Sequence, residues 1–250
     1  MPDTFCKRIR AAIERMACEY GPQGWWPIAS EVQRFAPSNN PRRLEGYHPG
    51  EFDFPQTIAG RFEICCGAVL TQNTAWTNVR HALEGLLVAN ALSAKRLLEL
   101  PEEQLASVIR PAGYFNQKAS YLRAVALWFQ ANDARLVRSE RSLLALETAR
   151  PILLKVRGVG PETADAVLLY AYRLPTFVVD AYTMRVFGRL NVVDSRSSYE
   201  AVRSLLGDAL RQRTLERTVE YYQEAHALIV EHAKRHHGRK SDATKDFLLD

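Results

Sequence analysis

The stretch that decides the fold is Leu153–Asp180, LLKVRGVGPETADAVLLYAYRLPTFVVD. An apolar helical run ends in Gly158-Val159-Gly160, a second helical pattern begins at once, and a lone carboxylate, Asp180, closes the segment. Glycine permits positive φ and leaves backbone N–H groups uncovered. Where such amides also open a helix, the bare donors and the helix dipole together favour an anion. A nucleic-acid phosphate is the natural candidate. Leu153, Leu154 and Val156 before the turn, with Ala164, Val167, Leu168 and Ala171 after it, give each helix an apolar side for packing.

The rest of the chain bounds that reading. With 250 residues, 47% apolar and 24% charged, it is long enough to bury a real core and globular in composition. A net charge of +5 permits a polyanionic partner without demanding one. There is no run of about 18 apolar residues, and Met1–Tyr20 is a charged amphipathic pattern, unlike a signal peptide. The expectation is a cytoplasmic, monomeric protein with no membrane partner. Cys6, Cys18, Cys65 and Cys66 show neither metal-ligand spacing nor a disulfide framework and read as core thiols.

Helical periodicity dominates. Phe5, Ile9, Ala12, Ile13 and Met16 step along one face of a first helix that Gly21 can end. Gly21–Pro55 holds six of the twelve prolines and reads as a long loop carrying Trp25-Trp26-Pro27. Ile58–Leu70 is apolar nearly all round and should be a buried helix. Asn116 can cap a helix, Pro151 can start the one leading into the turn, and Ser197 with Glu200 has capping-box spacing. His232 and His236 have the i,i+4 spacing of a zinc pair but lack a third ligand, so the end of the last helix reads as basic and solvated. Thr176–Val179 is the only strand-like run, too short for a sheet.

Two helices joined by Gly-Val-Gly resemble the helix-hairpin-helix of DNA-binding proteins. With Asp180 lying 20 residues after Gly160, the segment resembles the DNA glycosylases of the endonuclease III superfamily. Phe62–Thr74 (FEICCGAVLTQNT), Ile109–Ala119 (IRPAGYFNQKA), Trp25-Trp26-Pro27 and VVDAY around Asp180 extend the likeness to the 3-methyladenine DNA glycosylases that lack an iron–sulfur cluster. This resemblance implies an all-α fold of two lobes with a cleft between them: a six-helix lobe, residues 55–174, carrying the hairpin, and a second lobe from residues 1–54 plus 175–250.

The implied chemistry is residue-specific. Asp180 is the catalytic carboxylate, and capping a helix is compatible with that role. Cleaving an N-glycosidic bond builds oxocarbenium character in the sugar, which a fixed anion stabilises while it orients or deprotonates water. Bifunctional members carry lysine where this chain has Glu162, and glutamate cannot form the imine that nicks the strand. The resemblance further implies a base pocket of Trp25, Trp26, Phe62 and Lys245, and DNA wedge residues Gln72 and Tyr114. It gives a phosphate-binding hairpin of Gly158, Val159, Gly160 and Thr163, with a sodium or potassium ion on the carbonyls of Leu154, Val156 and Val159. Lys118, Arg123 and the C-terminal basic cluster are candidate phosphate contacts. The family's carbamylated lysine falls on Arg239, beside Lys240. His226–Asp250, where classical relatives place four cluster-ligating cysteines, contains none, so no cofactor is expected there.

The expected function is monofunctional excision of alkylated purines from double-stranded DNA by base flipping, in base-excision repair. The alternatives are an endonuclease III-like glycosylase and lyase, a mismatch uracil or thymine glycosylase, and an idle hairpin module that only binds DNA.

Overall fold

The computed structural model describes residues 3–31, 41–139, 142–238 and 246–249, and over these it is helical with no strand. The helices are α1 (Asp3–Tyr20), α2 (Pro41–Leu44), α3 (Ile58–Leu70), α4 (Trp76–Val88), α5 (Ala94–Glu99), α6 (Glu102–Val108), α7 (Phe115–Arg138) and α8 (Leu143–Leu153). They continue with α9 (Pro161–Ala166), which runs on as a π-helical turn over Val167–Ala171, then α10 (Ala181–Arg189), α11 (Tyr199–Leu210) and α12 (Leu215–His236). Two compact units result: Trp26–His48 with Asp53–Leu174, and Met1–Trp25 with Pro49–Phe52 and Pro175–Asp250.

The first unit carries the hairpin. Its centre is α3, buried from Gly60 to Leu70 as its unbroken apolar character requires. Thr57 caps it by accepting the Gly60 amide at 2.9 Å, and Glu31 in turn accepts from the Thr57 amide and hydroxyl at 3.0 and 2.6 Å. A bidentate pair, Arg61 to Asp133 at 2.7 and 2.9 Å, joins α3 to α7. The segment before α3 belongs here too. The sequence pattern groups residues 1–54 with the C-terminal part, but Glu63 on α3 accepts the Ala29 and Ser30 amides at 2.7 and 2.8 Å. Ile28 also donates to Gly46. Those bonds fasten Trp26–His48 to the hairpin unit.

The second unit packs α1 against α11 and α12, and α10 against α12. Gly21 ends α1 at φ 64°, its amide donating to Ala17 at 3.0 Å. The left-handed conformation that lets the chain turn back there costs glycine little.

Several boundaries differ from the sequence reading. Ser142, rather than Pro151, starts α8, its hydroxyl accepting from Ala145. Pro151 sits in the last turn, where the helix stops two residues later. The residue before α7 is Tyr114, and α11 is capped by Ser198, one residue after the expected serine. Cys65 and Cys66 are core thiols as expected, but Cys18 is exposed and Cys6 half-buried.

The two hairpin glycines have different reasons to be glycine. Gly158 has φ 84°, and a Cβ there would lie 2.1 Å from the Tyr121 ring. Gly160 has an ordinary φ of −91°, with nothing within 4 Å of where a Cβ would stand. Gly158→Ala should therefore cost more than about 2 kcal/mol, from left-handed strain of about 1–2 kcal/mol plus the clash, and lower the melting temperature by at least about 4 °C. Gly160→Ala should stay within about 0.5 kcal/mol of wild type in a denaturant titration. Equal losses would contradict this division of roles.

Candidate functional site

The hairpin is held from three sides within its unit. Arg150 on α8 makes a bidentate pair with Asp165 on α9 at 2.8 and 3.0 Å, and Asp165 is fully buried. From the end of α3, the Gln72 amide donates to the Gly158 carbonyl at 2.8 Å and to the Thr163 hydroxyl at 2.9 Å. Tyr121 lies beneath Gly158. Val159 folds inward, and its amide closes the turn on the Val156 carbonyl at 3.0 Å. Gly160 is exposed, and so are Lys155 and Arg157 on the approach to the turn.

These contacts revise the expected phosphate site. The Val159 amide is spent inside the turn, and the Thr163 hydroxyl is engaged by Gln72, so neither is simply presented outward. Gly160, with open space over its Cα, remains the outward position. Lys155 and Arg157 supply exposed positive charge that the sequence reading overlooked, although both stand inside the decisive stretch. Lys118, expected to meet phosphate, is buried. Its ammonium donates to the Leu70 and Ala112 carbonyls and the Thr74 hydroxyl at 2.7, 2.9 and 2.6 Å. Burial lowers its pKa to about 8. Arg123 donates to the Leu100 carbonyl at 2.8 Å.

Of the two expected wedge residues, Gln72 is committed to the hairpin and would have to break two bonds to insert. Tyr114 is different. It follows Gly113, has φ 45°, and leaves 69% of its surface exposed. A bulky residue in the left-handed region is strained, and the turn that imposes the strain presents an aromatic ring to solvent.

The expected aromatic pocket is not assembled as expected. Phe62 has no exposed surface and meets Phe129 edge-on at 5.1 Å between ring centres. Trp26 is 4% exposed, wedged against Trp76 and Tyr170 at 5.5 and 5.4 Å. Both are core aromatics of the hairpin unit. Trp25 belongs to the other unit, half-buried, with the Lys234 ammonium 5.7 Å from its ring centre. Lys245, Arg239 and Lys240 lie outside the described residues.

In the second unit Asp180 caps α10. Its Oδ1 accepts the Thr183 amide at 2.7 Å and the Thr183 hydroxyl at 2.8 Å. Its Oδ2 lies 3.6 Å from Nε2 of His226, a buried residue of α12. Burial works to raise the pKa of Asp180, but the adjoining imidazole and the two Thr183 bonds outweigh it and hold the carboxyl below its usual value. The result is a carboxylate kept ionised in a mostly dry setting, with 13% of its side chain still exposed. An anion so placed can stabilise developing positive charge more strongly than one in water. The sequence reading missed His226, a lone histidine on an apolar helix face, because its partner is 46 residues away and only tertiary packing brings them together.

The end of α12 is only partly the solvated helix end expected, with Lys234 and Arg235 exposed. His232, His237 and Asp246 are all buried. Burial lowers the pKa of His232 to about 4 despite the neighbouring Asp246 carboxylate.

Residues 66–212 match the family model described as HhH-GPD superfamily base excision DNA repair protein. A Methanocaldococcus jannaschii protein described as a DNA repair glycosylase is 35% identical over 219 residues, covering 86% of this chain and 82% of its own. Endonuclease III of Sulfolobus acidocaldarius is 26% identical over 142 residues, 56% of this chain and 61% of its own. Among solved structures, the H. pylori 3-methyladenine DNA glycosylase MagIII bound to 1,N6-ethenoadenine superposes with TM-score 0.62, covering 92% of this chain and 97% of its own at 23% identity. A non-covalent endonuclease III–DNA complex superposes with TM-score 0.65, covering 98% and 93% at 18% identity. At those identities the structures show the shared fold, and the sequence matches show the family. The chain belongs to the HhH-GPD superfamily of base excision DNA repair proteins, a family of DNA glycosylases.

Proposed function

We propose that this chain is a monofunctional DNA N-glycosylase that flips an alkylated purine of the 3-methyladenine class out of duplex DNA and hydrolyses its N-glycosidic bond. The observation that carries the reading is Asp180, ionised and mostly dry, with one oxygen fixed by Thr183 and the other beside His226. As the base departs, positive charge grows at C1′, and the carboxylate stabilises it and orients the water that adds there. An idle binding module could use Asp180 as a helix cap but has no use for its second oxygen beside a buried imidazole. The Gly160 backbone, Lys155 and Arg157 grip phosphates and position the duplex without reading its sequence. Tyr114 fills the gap left by the flipped base, offsetting an unstacking cost of a few kcal/mol.

The hydrolytic outcome follows from the missing amine. Glu162 stands where strand-nicking relatives carry lysine, and the buried Lys118 directs its N–H groups to protein acceptors. The substrate class rests on the resemblance through Trp25-Trp26-Pro27 and on chemistry. An adenine methylated at N3 is cationic, so it leaves readily and needs little proton donation, and an aromatic face attracts it. Trp25 is the aromatic we assign to that contact.

Asp180→Asn should abolish base release while leaving duplex affinity within a few-fold of wild type, since asparagine caps helices as well as aspartate does. Loss of binding and release in equal measure, with an intact fold, would return Asp180 to a capping role alone. Thr183→Val removes a hydrogen bond that favours the ionised form and should move the acid limb of the pH–rate profile to higher pH.

The product should be an intact abasic site, cut only after alkali, and borohydride should trap no protein–DNA adduct. An adduct accumulating in proportion to turnover would overturn the hydrolytic assignment.

The aromatic residues separate in a further test. Trp25→Ala should slow release of 3-methyladenine about tenfold, with a smaller loss for neutral hypoxanthine, because base stacking is worth about 1–3 kcal/mol and a cation gains more. Trp26→Ala and Phe62→Ala should act through stability, by about 3–5 kcal/mol for a buried aromatic. A Trp25→Ala loss equal on both bases and matched by a lower melting temperature would remove Trp25 from base contact.

A further inference from the structure

We propose that His232, His237 and Asp246 form a structural binding site for one divalent transition-metal ion, of which Zn²⁺ is the best match. One ligand atom from each of the three lies within 4.8 Å of the others. The donors converge closely. Nε2 of His237 is 2.6 Å from Asp246 Oδ2, and Nε2 of His232 is 3.1 Å from Asp246 Oδ1. All three side chains are at most 1% exposed. Two imidazole nitrogens and one carboxylate thus face a common point and offer three protein ligands. Tetrahedral zinc bonds nitrogen and carboxylate oxygen at about 2.0–2.2 Å and so spaces its ligands about 3.3 Å apart. The two histidine–carboxylate separations lie within an ångström of that spacing.

The decisive observation is His232. It has no exposed surface, yet its Nε2 lacks a well-formed hydrogen bond although Asp246 Oδ1 stands 3.1 Å away. On the other side of the ring, Nδ1 is 2.8 Å from the Tyr20 hydroxyl, which also lies 3.1 Å from Nε2 of His236. Nδ1–H of His232 donating to Tyr20, with the Tyr20 hydroxyl donating onward to His236, uses every group in that chain once. This tautomer leaves the Nε2 lone pair facing a carboxylate. Two electron-rich groups facing each other in a dry interior repel, and a buried nitrogen left unpaired is destabilising. A cation between them turns that repulsion into coordination. Tyr20 then acts as the outer partner that orients a ligating imidazole, and the Leu248 amide, donating to Asp246 at 2.9 Å, steadies the carboxylate.

Two imidazoles and a carboxylate suit zinc. Full burial leaves no position for a substrate, so the ion has a structural role: it clamps the segment at Asp246–Leu249 to the end of α12 and, through Tyr20, to the end of α1. This site does not use Asp180 and does not depend on the proposed function.

The test uses untagged, full-length protein, unfolded in chelator and refolded with Zn²⁺ or without metal, followed by gel filtration and elemental analysis. The expected result is about one zinc per chain and a melting temperature several degrees above that of the metal-free protein. His237→Gln and the double variant His232→Ala/Asp246→Asn should retain less than a tenth of the zinc and show no shift on its addition. Refolding with Co²⁺ keeps the test decisive if a variant fails to fold. The wild type should show the visible bands of tetrahedral cobalt without the near-ultraviolet charge transfer that a thiolate ligand produces. Wild type without stoichiometric zinc, variants that retain it, or a cobalt spectrum with thiolate ligation would each overturn the proposal.

Discussion

The bidentate pair between Arg150 and Asp165 is the constraint on which the hairpin depends. A turn proposed to meet phosphate must keep its backbone uncovered, so it cannot be held by side chains packed over it. It is held from behind instead. Arg150 and Asp165 cross-link the two helices, and Gln72 reaches the Gly158 carbonyl and the Thr163 hydroxyl from the turn after α3. Removing one partner of such a buried pair leaves an uncompensated charge and costs about 3–5 kcal/mol. The pair's worth lies in geometry: it sets where the second helix begins, and hence which way the amides at its start point.

Carboxylates buried in this chain serve different ends according to their partners. Glu63 binds the Ala29 and Ser30 amides, Glu31 ties Thr57 and Gln56, and Asp133 pairs with Arg61 while accepting from Tyr172. Each has its oxygens committed to holding segments together. Asp180 has one oxygen fixed and the other beside an imidazole, while its side chain keeps some exposure. That difference separates a carboxylate that can act on a reacting sugar from those that keep the fold. Asp246 is a third case, with both oxygens turned toward histidine nitrogens in a closed interior.

The aromatics show how type and spacing can mislead. Trp25 and Trp26 are adjacent and look like one feature, yet they belong to different units. Trp26 and Phe62 fill the space around α3, and only Trp25 keeps enough exposure to meet a ligand. Lys118 reads as a phosphate contact by charge, and burial among carbonyl oxygens makes it a cross-link instead.

What the sequence alone determined is whatever depends on neighbours along the chain. Helical periodicity, the buried α3, the Gly158-Val159-Gly160 turn, the Asp180 cap and the absence of lysine at Glu162 all follow from local pattern, because glycine, caps and apolar spacing act within a few residues. Helix starts at Ser142, Tyr114 and Ser198 are not fixed by local pattern, since several residues nearby could begin a helix and long-range packing selects among them. The tertiary structure alone decided which side chains meet. His226 reaches Asp180 across 46 residues, Gln72 reaches Gly158 across 86, and Asp246 turns back onto His232 and His237. In each case the chemistry of the group depends on a partner and on exclusion of water, and neither exists until the chain has folded.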